Sequence, residues 1–242
     1  MKDEIYLSIV IPAHNESERI SIILKAIEKY AKTKDFAIET IVVNNASTDN
    51  TAEVAENFRG EIPNLKILER QSKGKGGAVH EGMLAARGEY VIFADADNST
   101  PIEQVDKLLN YASKYDVVIG SRYCEDGKLA VPQSFVRVVG GRVLNFIIQT
   151  FAIWGIKDTQ CGFKLFSKKS VQDIFKRQTI FEFSFDIELL AIAKKLGYQI
   201  KEVGITWYDN PNSTVSPIRD GLKMVKDAWK VRRNLLNGKY SR

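Results

Sequence analysis

Short apolar runs and helical patterns take turns through the first half of the chain. Tyr6–Ile11 (YLSIVI) reads as a buried strand, and Ile20, Ile23, Leu24 and Ile27 then recur at helical spacing. Thr40–Val43 predicts a second strand. Ser47, Asp49 and Thr51 supply turn and N-cap chemistry for a helix running to about Phe58. Leu65–Leu68 predicts a third strand, and a helix follows Gly77, running to about Arg87. Tyr90–Ala94 (YVIFA) predicts a fourth. Pro101 suits the first position of a helix carrying Val105, Leu108, Leu109 and Ala112, and Val117–Ile119 predicts a fifth strand.

This alternation argues for an α/β fold: a mostly parallel sheet with helices on both faces. Such sheets bind ligands at the carboxyl ends of their strands. The polar clusters fall there: Pro12–Glu16, Asn44–Asp49, Asp95–Thr100 and Ser121–Arg122. Beyond residue 130 the pattern changes. Residues 134–154 look helical and apolar, and Phe163–Phe166 suits a strand. Phe185–Leu196 predicts a helix with Ile187, Leu190, Ala191 and Ala193 inward, Gln199–Tyr208 a half-exposed strand, and residues 216–236 a terminal helix. This half reads as an extension of the same domain, so residues 1–242 are expected to form one unit.

Composition narrows the class. With 242 residues, 44% hydrophobic and 27% charged, the chain is ordinary globular protein, long enough for one large core. Disorder, collagen and coiled coil are excluded. Cys124 and Cys161 are too few for a disulfide scaffold and read as reduced thiols of a cytosolic protein. Acidic residues precede the first apolar run, unlike a signal peptide. The longest uncharged apolar stretch, between Arg142 and Lys157, holds 14 residues. A spanning helix needs about 17–25, so no transmembrane segment is expected. That stretch suits either a buried core helix or one lying in a membrane interface.

The net charge of +5 is unevenly placed. Arg219–Arg242 holds eight basic residues and two acids, a net +6, which leaves residues 1–218 at −1. On a helix, Lys223, Lys226, Lys230 and Arg233 form one stripe beside an apolar face of Leu222, Val225, Trp229 and Leu236. A solvated surface helix and a docking helix for an anionic membrane surface both fit. The confinement of charge favours a membrane over nucleic acid.

Candidate chemistry centres on Asp95-Ala96-Asp97, directly after five uncharged residues. Two carboxylates at a strand end can share a hard cation such as Mg2+ or Mn2+ together with substrate phosphates. Alone, the pair fits a turn or helix cap better than a cation site. The flanking clusters Pro12-Ala13-His14-Asn15-Glu16, Asn45–Thr51 and Lys73-Gly74-Lys75-Gly76-Gly77 strengthen the ligand reading. A Gly-rich stretch lets backbone approach a ligand, and a lysine or helix N-terminus there favours phosphate. The stretch lacks the spacing of a P-loop, and no G-x-G-x-x-G follows the first strand, which disfavours those two nucleotide folds.

IVIPAHNE, IVVNNASTDNT, KGKGGAV, GEYVIFADAD and VVIGSRY occur in the order found in family 2 glycosyltransferases of the GT-A fold, which the chain resembles. DTQCGFKLF (Asp158–Phe166), FSFDIELLAIAKKLG (Phe183–Gly197) and the Trp207–Ser213 region are similar to the dolichyl-phosphate β-glucosyltransferases, whose sisters are the dolichol-phosphate mannose synthases. The resemblance covers roughly residues 5–235. It implies transfer of a hexose, with inversion, from a nucleotide sugar (UDP-glucose favoured) to a polyprenyl phosphate on the cytoplasmic face of a membrane. It implies a nucleotide-sugar half (1–125), an acceptor half (126–215) and a basic tail (216–242).

The resemblance also implies roles. Pro12, Ala13 and Glu16 would hold base and ribose. Asn44 stands where a base-recognising Asp is usual. Lys75, Asp95, Ala96 and Asp97 would line the nucleotide sugar. Asp95 and Asp97 would bind metal, Asp97 the more strongly. Arg122 would meet a donor or lipid phosphate. Ser134, Arg137 and Arg142 would flank the lipid phosphate, and Asp158 and Gln160 would order the acceptor loop or contact sugar. The chain departs from the pattern at Asn44-Asn45, where an acid pair is usual, at Ser99, where the mannose enzymes have Gln, and at Thr214, where a basic residue is usual. His14, His80 and Cys161 read as loop or packing residues, and Glu182 and Asp186 as helix caps or sugar contacts. Alternative readings are a GDP-mannose or UDP-N-acetylhexosamine donor, a soluble hydroxyl acceptor, and a binding module without catalysis.

Overall fold

A computed structural model describes residues 4–124, 127–129, 149, 152–208 and 217–241. Strands β1 (Ile5–Ala13), β2 (Ala37–Asn45), β3 (Leu65–Arg70), β4 (Tyr90–Ala94) and β5 (Val117–Ser121) form where the apolar runs predict them. Helices α1 (Ile20–Lys32), α2 (Thr51–Glu56), α3 (Lys75–Ala85) and α4 (Val105–Ala112) connect them. Later come β6 (Lys128–Leu129), β7 (Phe163–Ser167), α5 (Lys168–Phe175), α6 (Phe185–Lys195), β8 (Ile200–Gly204), β9 (Thr206–Trp207) and α7 (Pro217–Leu236).

Seven strands make one sheet in the order β3-β2-β1-β4-β7-β5-β8, and β6 pairs with β9 separately. All the neighbours pair parallel except β7, which runs antiparallel between β4 and β5. The sheet is therefore mostly parallel with helices on both faces, as predicted. The antiparallel strand has a geometric cause. The chain reaches β7 through Asp158–Gly162, at the carboxyl edge beside Asp95, so it can only run back down the sheet. Period-two alternation splits the strands between two cores. Leu7, Ile9 and Ile11 face α1 and α4 with Ile23, Leu24 and Val105, while Val10, Ile41 and Phe93 face the other helices with Phe185 and Leu190. Each such fully buried side chain contributes about 1.5–3 kcal/mol.

Three local expectations change. The third helix begins at Lys75 rather than after Gly77, so Gly76 and Gly77 form its first turn. Pro101 stays extended (φ −55°, ψ 136°) and precedes a 3-10 turn, Ile102–Gln104, before α4. The strand expected over Gln199–Tyr208 divides at Ile205, which turns inward and is fully buried. Among the described residues no helix is long and apolar enough to cross a membrane.

Candidate active site at the carboxyl edge of the sheet

The loops after β1 and β2 are stitched to each other. Asn15 N–H donates to Ser47 Oγ (3.0 Å), Thr48 N–H to Asn15 Oδ1 (2.8 Å) and Glu16 N–H to Thr51 Oγ1 (2.8 Å). Asp49 accepts from the N–H groups of Ser17 and Thr51, both at 3.1 Å. Slight burial raises the Asp49 pKa, but the bonds from Thr51 and Ser17 outweigh it and bring it down to about 2. His14 Nδ1 lies 2.8 Å from the Asn45 carbonyl, which makes Nδ1 the protonated nitrogen. Most of the polar cluster Asn45–Thr51 is thus spent holding the edge in shape. Asn15, Ala46 and Asn98 each adopt positive φ (54°, 53° and 54°), one after each of β1, β2 and β4. For Ala46, which has no side-chain oxygen to help, this costs on the order of 1 kcal/mol.

Several groups at this edge keep free capacity, buried Asn98 Oδ1 among them. Asn44, beside Ala13 in the β1–β2 register, donates Nδ2–H to Glu69 Oε2 at 2.8 Å. A carboxylate only accepts, so Glu69 fixes which way the amide points. Asn44 Oδ1 is left buried without a hydrogen-bond partner. Asp97 accepts the Ser99 N–H on Oδ1 (2.9 Å) and is half-buried. Glu16 is held by Arg19 at 2.6 and 2.8 Å. Burial raises the Glu16 pKa, and the charges of Asp97 and Asp95 raise it further against the pull of Arg19. The three carboxylates therefore share one electrostatic neighbourhood.

Lys75 Nζ stands 2.6 Å from Asp95 Oδ1. Burial lowers the Lys75 pKa, but Asp95, Asp186 and Asp97 more than reverse this, and it stays firmly cationic. The glycines around it serve a different end from the one predicted. A Cβ on Gly74 would lie 2.6 Å from the Phe181 carbonyl, on Gly76 2.6 Å from Phe185 Cβ, and on Gly77 2.3 Å from the Arg70 guanidinium. Gly77 N–H also donates to the Phe181 carbonyl at 2.9 Å. The stretch lets protein approach protein, and only the Lys75 side chain turns toward the carboxylates.

The second half meets the first at Gly162. The register Ala94↔Phe163 sets Gly162 against Asp95, and a Cβ there would lie 2.2 Å from Asp95 Oδ2. Ahead of it, Asp158 is buried and wholly committed. Its carboxylate takes Arg122 Nε–H and Nη2–H at 2.8 Å each and the Arg122 backbone N–H at 2.9 Å. Burial raises the Asp158 pKa, but Arg122 overrides it and holds it below the carboxylate range. Arg122 also lies over the rings of Trp207 and Tyr123, at 5.2 and 5.6 Å. Glu202 accepts the N–H groups of Lys157 and Asp158 at 2.9 Å each, fastening the loop to β8. Gln160 Nε2 reaches Met224 Sδ at 3.6 Å, toward α7 rather than the carboxylates. Under the floor, Lys164 is fully buried and pairs with Asp186 at 2.5 Å.

The chain matches the model of "Glycosyl transferase family 2" over residues 8–175. It belongs to that family. A Dictyostelium discoideum dolichyl-phosphate β-glucosyltransferase is 36% identical over 98% of this chain and 76% of its own length. The Saccharomyces cerevisiae protein of the same name is 35% identical over 98% and 77%, and the human one 30% over 97% and 77%. Among solved structures, a Mycobacterium tuberculosis glucosyl-3-phosphoglycerate synthase, crystallised with Mn2+, UDP-glucose and phosphoglyceric acid, superposes with TM-score 0.70 at 20% identity, over 98% of this chain and 81% of its own. A Rubrobacter xylanophilus mannosyl-3-phosphoglycerate synthase gives 0.70 at 18%, over 97% and 76%. The family 2 chain thus has the GT-A fold.

In this glycosyltransferase the structure gathers Pro12, Ala13, Glu16, Asn44, Lys75, Asp95, Ala96 and Asp97 along one edge. It carries Arg122 and Asp158 to the neighbouring strand end as a locked pair. Ser134, Arg137 and Arg142 lie outside the described residues. Sequence reasoning passed over Glu69, Arg70, Gly162, Lys164 and Glu202. Gly162 had a signal, a glycine just before a strand. The others are long-range partners that nothing local reveals.

Proposed function

We propose that this family 2 glycosyltransferase is a metal-dependent hexosyltransferase moving glucose from UDP-glucose to a polyprenyl phosphate, with inversion at the anomeric carbon. The observation that carries the reading is the edge itself. Free acceptor groups of Asn44 and Asp97, with Lys75 beside Asp95, adjoin the loop similar to that of dolichyl-phosphate β-glucosyltransferases. The relatives of that name, 36% and 35% identical over 98% of the chain, support the acceptor and the sugar.

Pro12, Ala13 and Glu16 line the base and ribose, and the free Asn44 Oδ1 accepts an N–H from the pyrimidine. The residues fit a hard divalent cation, Mg2+ or Mn2+. Asp97 offers a half-exposed carboxylate, while Asp95 already shares its charge with Lys75, so Asp97 is the stronger ligand. When bound, such an ion supplies charge stabilisation to the leaving diphosphate. Lys75 adds a fixed positive charge on the same side. A phosphate monoester has a second pKa of about 6, so the acceptor oxygen is largely ionised at neutral pH. That oxygen bonds to the anomeric carbon as the bond to the diphosphate oxygen breaks. No side chain need take a proton, and catalysis rests on positioning.

Arg122, stiffened by Asp158 through Nε–H and Nη2–H, turns Nη1, which has no partner among the described residues, to a phosphate. Ser134, Arg137 and Arg142 complete the lipid-phosphate side in this reading, and Gln160 orders the loop. The division into a nucleotide-sugar half (1–125), an acceptor half (126–215) and a basic tail (216–242) is part of the proposal. So is peripheral attachment to an anionic membrane surface on the cytoplasmic face, which the free thiols of Cys124 and Cys161 suit.

The test is a panel of radiolabelled UDP-glucose, GDP-mannose and UDP-N-acetylglucosamine with a short polyprenyl phosphate, with Mg2+, Mn2+ or chelator. Organic-extractable label should form from UDP-glucose and vanish with chelator. Label from GDP-mannose instead would overturn the donor. Label only on a soluble hydroxyl acceptor would overturn the lipid. No label from any donor would leave a binding module.

A further inference from the structure

The outer face of α7 is used neither by the core nor by the site. Its inner face is pinned. Met224, Ala228 and Val231 are buried, and Tyr240 donates its hydroxyl to buried Glu188 at 2.6 Å while accepting from Asn234 at 2.8 Å. Lys230, expected on the basic stripe, instead reaches the Thr179 carbonyl at 3.4 Å. The rotation of the helix is therefore set, and what remains outside is a defined surface.

That surface is amphipathic. Leu222, Trp229 and Leu236 are 70%, 57% and 73% exposed and stand seven residues apart, one line along an α-helix. Exposed Lys226 and Arg233 run along one side of the line and Arg232 along the other. The Arg233 guanidinium lies 5.7 Å from the Trp229 ring. Asp227 turns away, with Oδ2 buried, so no acid from the middle of the helix dilutes the cations. Three large apolar side chains in a row flanked by cations are what an anionic bilayer boundary accommodates, the rings and aliphatic chains entering and the charges meeting lipid phosphates. A second copy of this face would bring the same cations together.

We infer that α7 is a peripheral anchor, laying Leu222, Trp229 and Leu236 into an anionic bilayer with Lys226, Arg232 and Arg233 on its headgroups. This deepens the lipid-acceptor reading and rests on it for its purpose. Gln160 against Met224, and Lys223 3.6 Å from Glu182, set the helix beside the Asp158–Phe166 loop. The bilayer would then lie next to the acceptor side.

The experiment is cosedimentation of the full chain with vesicles of phosphatidylcholine, with and without phosphatidylserine, and no sugar donor. The wild type should bind the anionic vesicles and release as salt rises. Trp229→Glu with Leu236→Glu should lower the partition about tenfold or more, and Arg232→Glu with Arg233→Glu by a similar factor on the anionic vesicles. Both should keep the wild-type melting curve and transfer to a detergent-dispersed short polyprenyl phosphate. Variants that bind like wild type, equal binding to both vesicles, or a dimer that Trp229→Glu dissociates with no vesicle binding would each overturn the anchor. Vesicle binding that follows the pattern without any sugar transfer would instead keep the anchor and sink the lipid-acceptor reading.

Discussion

The β1–β2–β4 edge and the loop entering β7 carry the same kinds of side chain and use them in opposite ways. At the edge, Asn44 Oδ1 has no partner and Asp97 spends one oxygen on a neighbouring N–H. In the loop, Asp158 gives both oxygens to Arg122, and behind it Asp186 takes the buried Lys164. The difference follows burial. A carboxylate as enclosed as Asp158 survives only if fully paired, whereas one at an open rim can wait for a ligand. A motif is therefore no guide to which of its charges meets substrate. In DTQCGFKLF the Asp is the splint of Arg122, and the Gly is the space that Asp95 fills.

Three substitutions sharpen this contrast. Asp97→Ala should have the largest effect on activity, lowering kcat about a thousandfold or more while the melting temperature stays near wild type. An active Asp97→Ala enzyme would remove Asp97 from the metal site. Asp158→Ala should do the reverse, with stability as its main loss. Removing one partner of a buried pair costs about 3–5 kcal/mol, read by urea unfolding at neutral pH.

That loss has a pH signature. The folded pKa of Asp158 lies below its ordinary value, so its stabilisation is full above that value and fades as pH falls through the folded one. The gap between wild type and Asp158→Ala should therefore narrow below about pH 4. A gap that stayed constant into acid would mean the carboxylate charge is not what holds Arg122.

The smallest effect is expected at Glu69. Glu69→Gln can donate as well as accept, so it no longer dictates the Asn44 amide. The KM for the nucleotide sugar should rise up to about tenfold with kcat little changed, the cost of one hydrogen bond. An equal fall in kcat would place Glu69 in the chemistry rather than behind the base.

Much of the edge was legible in the sequence because it is local. A strand is an apolar run, its ligand-facing end is where polarity returns, and Asp95-Ala96-Asp97 sits at that point. Helix boundaries slipped where chemistry is ambiguous. Glycines at 76 and 77 read as lying ahead of the helix but form the first turn of α3, where Phe185 and Arg70 occupy the space that side chains would take. In the terminal stripe, Lys223, Lys226 and Arg233 are exposed as expected, and Lys230 is not. Lys230 left it for the Thr179 carbonyl, since the Glu188–Tyr240 anchor sets the helix rotation and periodicity alone cannot.

By itself, the sequence determined the α/β alternation, the mostly parallel sheet, the family, and the edge on which the carboxylates stand. All follow from periodicity and from residues near one another in the chain. Only the tertiary structure decided that β7 runs antiparallel between β4 and β5, that Gly162 backs Asp95, that Glu69 aims Asn44, and that Asp158 belongs to Arg122. Those contacts join residues 25 to 77 positions apart, and burial decides which of them must pair.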